Sequence, residues 1–189
     1  MIEVKPLTRE LLPDVEALFD TSRETHGCWC MWFLIPYKEY HASGPEGNHR
    51  RFLELMEVTS FPIGLLAYRD GEVVGWCATG PRSRFVRALG VPSFKGRDPS
   101  EDDSVWLTPC FYVRKDVRRE GVSRALLEAA VTLAREHDAT AIEGFPFASG
   151  VKIGRESMVA VEALFAACGF AVSRQPSPTR VVMRKELGG

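Results

Sequence analysis

The chain has 189 residues, and its 24 Lys and Arg stand against 25 Asp and Glu for a formal charge of −1. That length suffices for one full hydrophobic core. Near-neutrality removes the global electrostatic case for binding nucleic acid or an acidic membrane, and no apolar run approaches the ~20 residues that span a bilayer. Residues 1–7 lack the apolar centre of a signal peptide, and five cysteines at irregular spacing give no disulfide framework. The expectation is a cytoplasmic protein with reduced thiols, folded as a single domain over residues 1–189.

Residues 2–6 alternate apolar and polar side chains and read as a short strand. Thr8 is an N-cap candidate, followed by Leu11, Leu12, Val15, Leu18 and Phe19 at helical spacing; Pro13 allows the helix to start one turn later. Residues 26–40, H-G-C-W-C-M-W-F-L-I-P-Y-K-E-Y, concentrate aromatic rings, two thiols and a histidine. His26, Cys28 and Cys30 offer three soft donors, short of the about four ligands of a closed zinc site. Buried thiols among aromatic rings are the favoured reading, and no metal is assigned. Trp29, Trp32 and Phe33 are assigned a mixed role, part core and part wall of a substrate pocket. Residues 44–47 form a break, and 48–58 a helix with Phe52, Leu53, Leu55 and Met56 on its apolar face, leaving His49, Arg50 and Arg51 in solvent. A hairpin follows, with strands at 63–68 and 72–79 around an Asp70-Gly71 turn.

Residues 81–103 show no period. Their Arg82, Arg84, Arg87, Lys95 and Arg97 read either as a solvated loop or as an attractor for an anionic substrate, in a connection long enough to be functional or mobile. Residues 105–113, V-W-L-T-P-C-F-Y-V, form a strand whose Pro109 cannot donate to a ladder, so a bulge or unpaired backbone is expected there. Next comes Arg118-x-x-Gly121-x-Ser123, opening a helix over 122–137 with Val122, Leu126, Ala129, Ala130 and Leu133 on one face. The first amides of a helix have no internal partner and lie at its positive end, which makes a site for phosphate. Gly121 leaves room for approach, and Arg118, Arg119 and Arg124 add charge. A strand at 140–147, broken near Pro146, completes a right-handed parallel crossover. Residues 156–168 read as the last helix, with Met158, Val161, Leu164, Phe165 and Cys168 inward and Gly169 as its C-cap. Strands at 170–174 and 179–185 close the chain.

Arg118-x-x-Gly121-x-Ser123 resembles the Gln/Arg-x-x-Gly-x-Gly/Ala pyrophosphate loop of the GNAT N-acetyltransferase superfamily, with Ser123 replacing the usual Gly or Ala. Leu164-Phe-Ala-Ala-Cys-Gly-Phe170 is similar to a second motif of that family, and the order of elements agrees over nearly the whole chain. The resemblance implies an α/β fold with a mixed, mostly antiparallel sheet of about seven strands. It also implies a V-shaped splay between strands 4 and 5, about four flanking helices, and acetyl-CoA lying in the V. The backbone of Phe111, Tyr112 and Val113 would then hold the acyl arm and polarise the thioester carbonyl. Arg118, Arg119, Gly121, Val122, Ser123 and Arg124 would hold the pyrophosphate. The segment between the first two helices would shape the acceptor pocket. The family's common tyrosine, the acid for the leaving thiolate, is Phe165 here; Tyr112, Cys168 or a water would replace it, or the thiolate would leave unassisted.

The acceptor amine must be neutral to attack. Glu143, on the strand beside the cleft and expected among apolar neighbours that would raise its pKa, is the first candidate base, ahead of Asp103 and His26. The activity expected is direct acetyl transfer to the primary amine of a small molecule, with homodimer formation left open. A protein N-acetyltransferase, an acetyl-CoA-binding sensor without turnover, and a metal protein built on His26, Cys28 and Cys30 are the rival readings.

Overall fold

The computed structural model describes residues 1–152 and 159–188. Seven strands form one sheet in the order β1-β2-β3-β4-β5-β7-β6: β1 Ile2–Pro6, β2 Gly64–Arg69, β3 Glu72–Pro81, β4 Val105–Val113, β5 Ala141–Gly144, β6 Ala171–Ser177 and β7 Arg180–Glu186. Every neighbouring pair is antiparallel except β4 with β5. The β2–β3 hairpin turns on Asp70 and Gly71, both left-handed at φ 51° and 85°, as a two-residue turn matched to strand twist requires.

The helices are α1 Leu12–Asp20, α2 Arg23–Cys28, α3 Tyr37–Val58, α4 Val86–Leu89, α5 Val122–Glu136 and α6 Glu162–Ala167. These six, among the described residues, exceed the expected four because α2 and α4 are short turns of helix with little periodic signal. α1 starts at Leu12, with Pro13 in its first turn, and Thr8 makes no capping bond. α3 begins eleven residues earlier than the 48–58 helix expected, and Gly44 interrupts it at φ 62°, ψ −177°, so the expected break is a kink. α6 is shorter than expected. Val161 is extended and 41% exposed rather than inward, and Met158 lies outside the described residues. The closing bonds, Gly169 N to Ala166 O and Phe170 N to Phe165 O, with Gly169 at φ 80°, terminate it as foreseen.

Two apolar cores flank the sheet. One lies under α5, whose Val122, Leu126, Leu127, Ala130, Val131, Leu133 and Ala134 are buried. Gly75 of β3 makes this approach close: a Cβ there would stand 2.8 Å from Val122 Cγ1. The other core gathers Val15, Leu18 and Phe19 of α1, Trp29, Met31, Phe52 and Trp76 on the opposite face. Among the described residues no helix is long and apolar enough to cross a membrane.

Candidate active site

The site begins at an irregularity in β4. Ala78 pairs with Cys110 and Gly80 with Leu107, so Thr108 and Pro109 together stand opposite Thr79. This is a β-bulge, placed where proline has no N–H to give. The hydroxyls of Thr79 and Thr108, both buried, satisfy each other at 3.1 Å. The parallel ladder to β5 joins only Val105, Trp106 and Leu107 to Ala141, Ile142 and Glu143. Beyond Leu107 and Glu143 that ladder ends.

The loop that carries Arg118-x-x-Gly121-x-Ser123 follows β4 and leads into α5. Arg119 and Gly121 are left-handed, at φ 68° and 88°. The first internal bond of α5 runs from Ala125 N to Gly121 O at 3.0 Å, so the amides of Val122, Ser123 and Arg124 open the helix as an anion site needs. A Cβ on Gly121 would meet nothing nearer than Ile2 Cδ1 at 4.0 Å, which leaves the approach open. Arg118 donates from Nε to Val113 O at 3.1 Å, tying the loop to the end of β4. Arg124 pairs with Glu128 one turn on, at 2.8 Å. Arg118 is thus tied to the end of the Phe111–Val113 stretch, and Arg119, Gly121, Val122, Ser123 and Arg124 follow it into the first turn of α5. The side chains of Phe111 and Val113 pack under α5.

On the opposite face, Cys110 and Tyr112 enter a cavity of about 320 Å³ lined by Phe19, Glu24, Thr25, Cys28, Cys30, Trp32, Phe33, Tyr40, Trp76 and Val159 as well. Trp29 and Cys30 both take left-handed backbone, at φ 45° and 57°. This turn brings Cys30 Sγ within 2.9 Å of Trp76 Nε1. Burial, then the charge of Cys30, pushes the Cys28 thiol up to about 11. The Cys110 thiol is held well above its ordinary value by a hydrogen bond to Cys30 and by burial. Burial first, and the Cys28 thiol second, raise the Tyr40 phenol. Such thiols stay protonated at neutral pH and are poor nucleophiles. Arg87 stacks on Trp32 with its guanidinium carbon 3.5 Å from the ring centroid.

The cavity thus brings Trp32 and Phe33 together with Tyr112, which was assigned to the cofactor side, whereas Trp29 is core, edge-on to Phe19 and stacked on His49 at 3.9 Å. His49 is accordingly not simply solvated, and it also bonds Glu16 at 3.0 Å. The expected surroundings of Glu143 are corrected. It is 3% exposed, but it meets Arg82 Nη1 at 3.0 Å and Arg184 Nη1 at 3.3 Å, not an apolar wall, and it does not line the cavity. Arg82, assigned to a loop, is itself buried and also donates to Asp102 at 2.7 Å. His26 is exposed and bonded to Asp20 at 2.8 Å. Among the described residues no three His, Cys, Asp or Glu side chains group as a metal site. Phe165 is buried against Phe111 and Phe170. Sequence reasoning missed Phe19, Glu24, Thr25, Trp76 and Cys110, while Tyr40 lies in the 26–40 segment expected to shape the acceptor pocket. Only Cys110 carried a usable signal, since it shares a strand face with Tyr112.

A parallel pair whose ladder stops partway, beside a loop that opens a helix and with an aromatic cavity across the strand, belongs to a mixed seven-stranded α/β fold. The chain belongs to the Acetyltransferase (GNAT) family, whose profile matches residues 29–170, and acetyl-CoA is its co-substrate. Solved structures share the fold. A ribosomal-protein-alanine N-acetyltransferase from Brucella melitensis is 21% identical, with 97% of this chain and 99% of that one covered at a TM-score of 0.56. An N-acetyltransferase from Staphylococcus aureus is 14% identical over 99% of both chains at 0.57. The protein yncA of Salmonella typhimurium, solved with its cofactor acetyl-CoA, is 14% identical over 98% and 94% at 0.57. A search by sequence among curated proteins finds no match.

Proposed function

We propose that this protein, acting as one domain in the cytoplasm, transfers the acetyl group of acetyl-CoA directly to the primary amine of a small molecule held in the aromatic cavity. The observation that carries this reading is that the cavity reaches β4 at Cys110 and Tyr112, the same stretch whose other edge leaves β5. Two reactants bound on either side of one strand meet at its backbone, and positioning of that kind supplies much of an acyl transfer's acceleration. An amide of the Phe111–Val113 stretch would polarise the thioester carbonyl, while Arg118–Arg124 would hold the pyrophosphate.

No acyl-enzyme is needed, and the protonated Cys110 thiol is a poor candidate for one. Glu143 is engaged by two arginines, so the proton of the attacking amine is better assigned to water at the cavity mouth near Glu24, an exposed lining carboxylate. A thiol with a pKa of about 8.5 leaves readily as a thiolate, so Phe165 does not forbid turnover. The Brucella melitensis neighbour is named for acting on a ribosomal protein; here the aromatic walls of a cavity of about 320 Å³ favour a small acceptor over a chain terminus. Measuring CoA thiol released over a panel of amines and alanine-ended peptides tests the reading. Acetyl-CoA binding without turnover on any acceptor would favour a sensor instead.

A further inference from the structure

The arginines of the connection at 81–103 are held in different ways. Arg82 pairs with Asp102 and Glu143, Arg84 donates to Pro62 O and Thr79 O, and Arg97 pairs with Asp102. Arg87, on α4, is held by rings. Its guanidinium carbon lies 3.5 Å from the centroid of Trp32 and 4.9 Å from that of Tyr37, and its charge acts on the Tyr40 phenol. Its Nη1 is buried and has no hydrogen-bond partner. Trp32 and Tyr40 both line the cavity, so this cation stands against the cavity wall, just outside the lining itself.

Stacking engages the flat face of a guanidinium and leaves its five N–H bonds, which lie in the plane, free to donate. A buried polar group in a folded protein is nearly always bonded, and one that is not calls for a partner from outside the chain. The group that fits a planar fork is a carboxylate, taken through two parallel N–H···O bonds. One guanidinium balances one negative charge, which matches a carboxylate better than a phosphate monoester carrying about −1.5 to −2 at neutral pH.

We infer that the acceptor is an amino acid, an amine that also bears a carboxylate, and that Arg87 receives the carboxylate at the Trp32–Tyr40 wall. This rests on the reading of the cavity as the acceptor site. Trp32 and Tyr40 pack edge to face at 5.1 Å and hold their places. Tyr37 is the more distant ring from the guanidinium and is 57% exposed, so it is the side that gives way to admit the carboxylate. The apolar body of the ligand lies on the remaining rings. Its amine lone pair forms the C–N bond to the thioester carbon, the C–S bond breaks, CoA leaves as thiolate, and the extra amine proton passes to water. The product keeps its carboxylate.

The test measures CoA release by the full chain with matched pairs that differ by the carboxylate: phenylalanine against 2-phenylethylamine, and 6-aminohexanoate against hexylamine, with 2-aminoethyl phosphate beside them. In at least one pair the carboxylate-bearing member should lead in kcat/KM by about 10–100-fold, the worth of a hydrogen bond to a charged group. No pair in which it leads, or turnover of the phosphate alone, overturns this inference while leaving acetyl transfer standing; no turnover of any amine by acetyl-CoA-bound protein overturns both. Arg87→Gln should bring the ratio within the leading pair down by the same factor. Arg87→Lys, which keeps the charge and loses the fork, should lower it by about tenfold and serves where the glutamine variant does not fold. A ratio that survives in a folded variant of either kind refutes the assignment. Tyr112→Phe removes a lining hydroxyl and leaves the guanidinium in place. It should raise the amine KM of both members alike and preserve their ratio, and a ratio lost in Tyr112→Phe but kept in Arg87→Gln would move the carboxylate site to Tyr112.

Discussion

Replacing Arg82 by Met separates a structural from a catalytic role for Glu143. Arg82 is 1% exposed and donates from Nε to Asp102 at 2.7 Å, from Nη1 to Glu143 at 3.0 Å and from Nη2 to Asp98 O at 2.7 Å. Removing one partner of a buried pair costs roughly 3–5 kcal/mol, because the remaining charge is stranded. Glu143 keeps Arg184, and Asp102 keeps Arg97 at 3.1 Å, so the lower end, about 3 kcal/mol, is expected. For a domain of this size that is a fall in Tm of roughly 6–12 °C, to be read by calorimetry and urea unfolding. Glu143→Gln, which keeps an acceptor but loses the charge, should cost about 1–3 kcal/mol and leave kcat per folded molecule nearly unchanged. General-base catalysis is worth about 10²–10⁴ in rate. A hundredfold drop in kcat for Glu143→Gln with an unaltered melt would therefore refute the structural assignment and return Glu143 to the chemistry.

Three further outcomes follow from single positions. Gly121→Ala places a Cβ in open space but at φ 88°, so the expected loss is the left-handed strain of about 1–2 kcal/mol, with weaker acetyl-CoA binding by titration calorimetry; unchanged affinity would count against the loop. Gly144→Ala would set a Cβ 2.3 Å from Phe165 Cε1 and Cζ, an overpacking worth about 1–3 kcal/mol in chemical denaturation. The Cys28 thiol, pushed up to about 11 in the folded chain against an ordinary 9.0, binds its proton more tightly folded than unfolded. Its contribution is fully present below the ordinary value and is lost as pH rises toward about 11, so Cys28→Ala should flatten the alkaline fall in stability, and an identical pH slope in both proteins would reject the shift.

The parts legible in the sequence are those written in local chemistry. The Asp70-Gly71 turn, the apolar stripe of α5 and the glycine that opens it each act over a few residues, and each fell where expected. Pro109 announced a bulge because proline lacks an N–H whatever surrounds it. The parts that stayed hidden depend on distant partners. Arg82 looked like a loop cation because Glu143, the residue that justifies burying it, is 61 positions away. His49 looked solvated because Trp29 reaches it only through the left-handed turn at residues 29 and 30, and nothing in the composition of that turn forecasts positive φ at two bulky residues. The Thr21–Tyr112 bond, across 91 positions, has no sequence signature at all.

The bulge also decides which side chains serve which substrate. Leu107 faces the α1 side of the sheet and Trp106 the α5 side. Strict alternation from Leu107 would send residues 109, 111 and 113 toward the cavity, because side chains change face at every step. The extra residue at Thr108–Pro109 shifts the parity by one, as a one-residue slip does. Cys110 and Tyr112 therefore reach the cavity, while Phe111 and Val113 turn under α5. The same irregularity lies where the ladder to β5 ends, so one inserted residue stands where that pairing stops and aims the Tyr112 side chain into the cavity. Parity depends on the residue count and not on the proline ring. Pro109→Ala should accordingly keep the amine KM of the parent enzyme, whereas a shift matching that of Tyr112→Phe would show that the ring itself, not the count, holds the register.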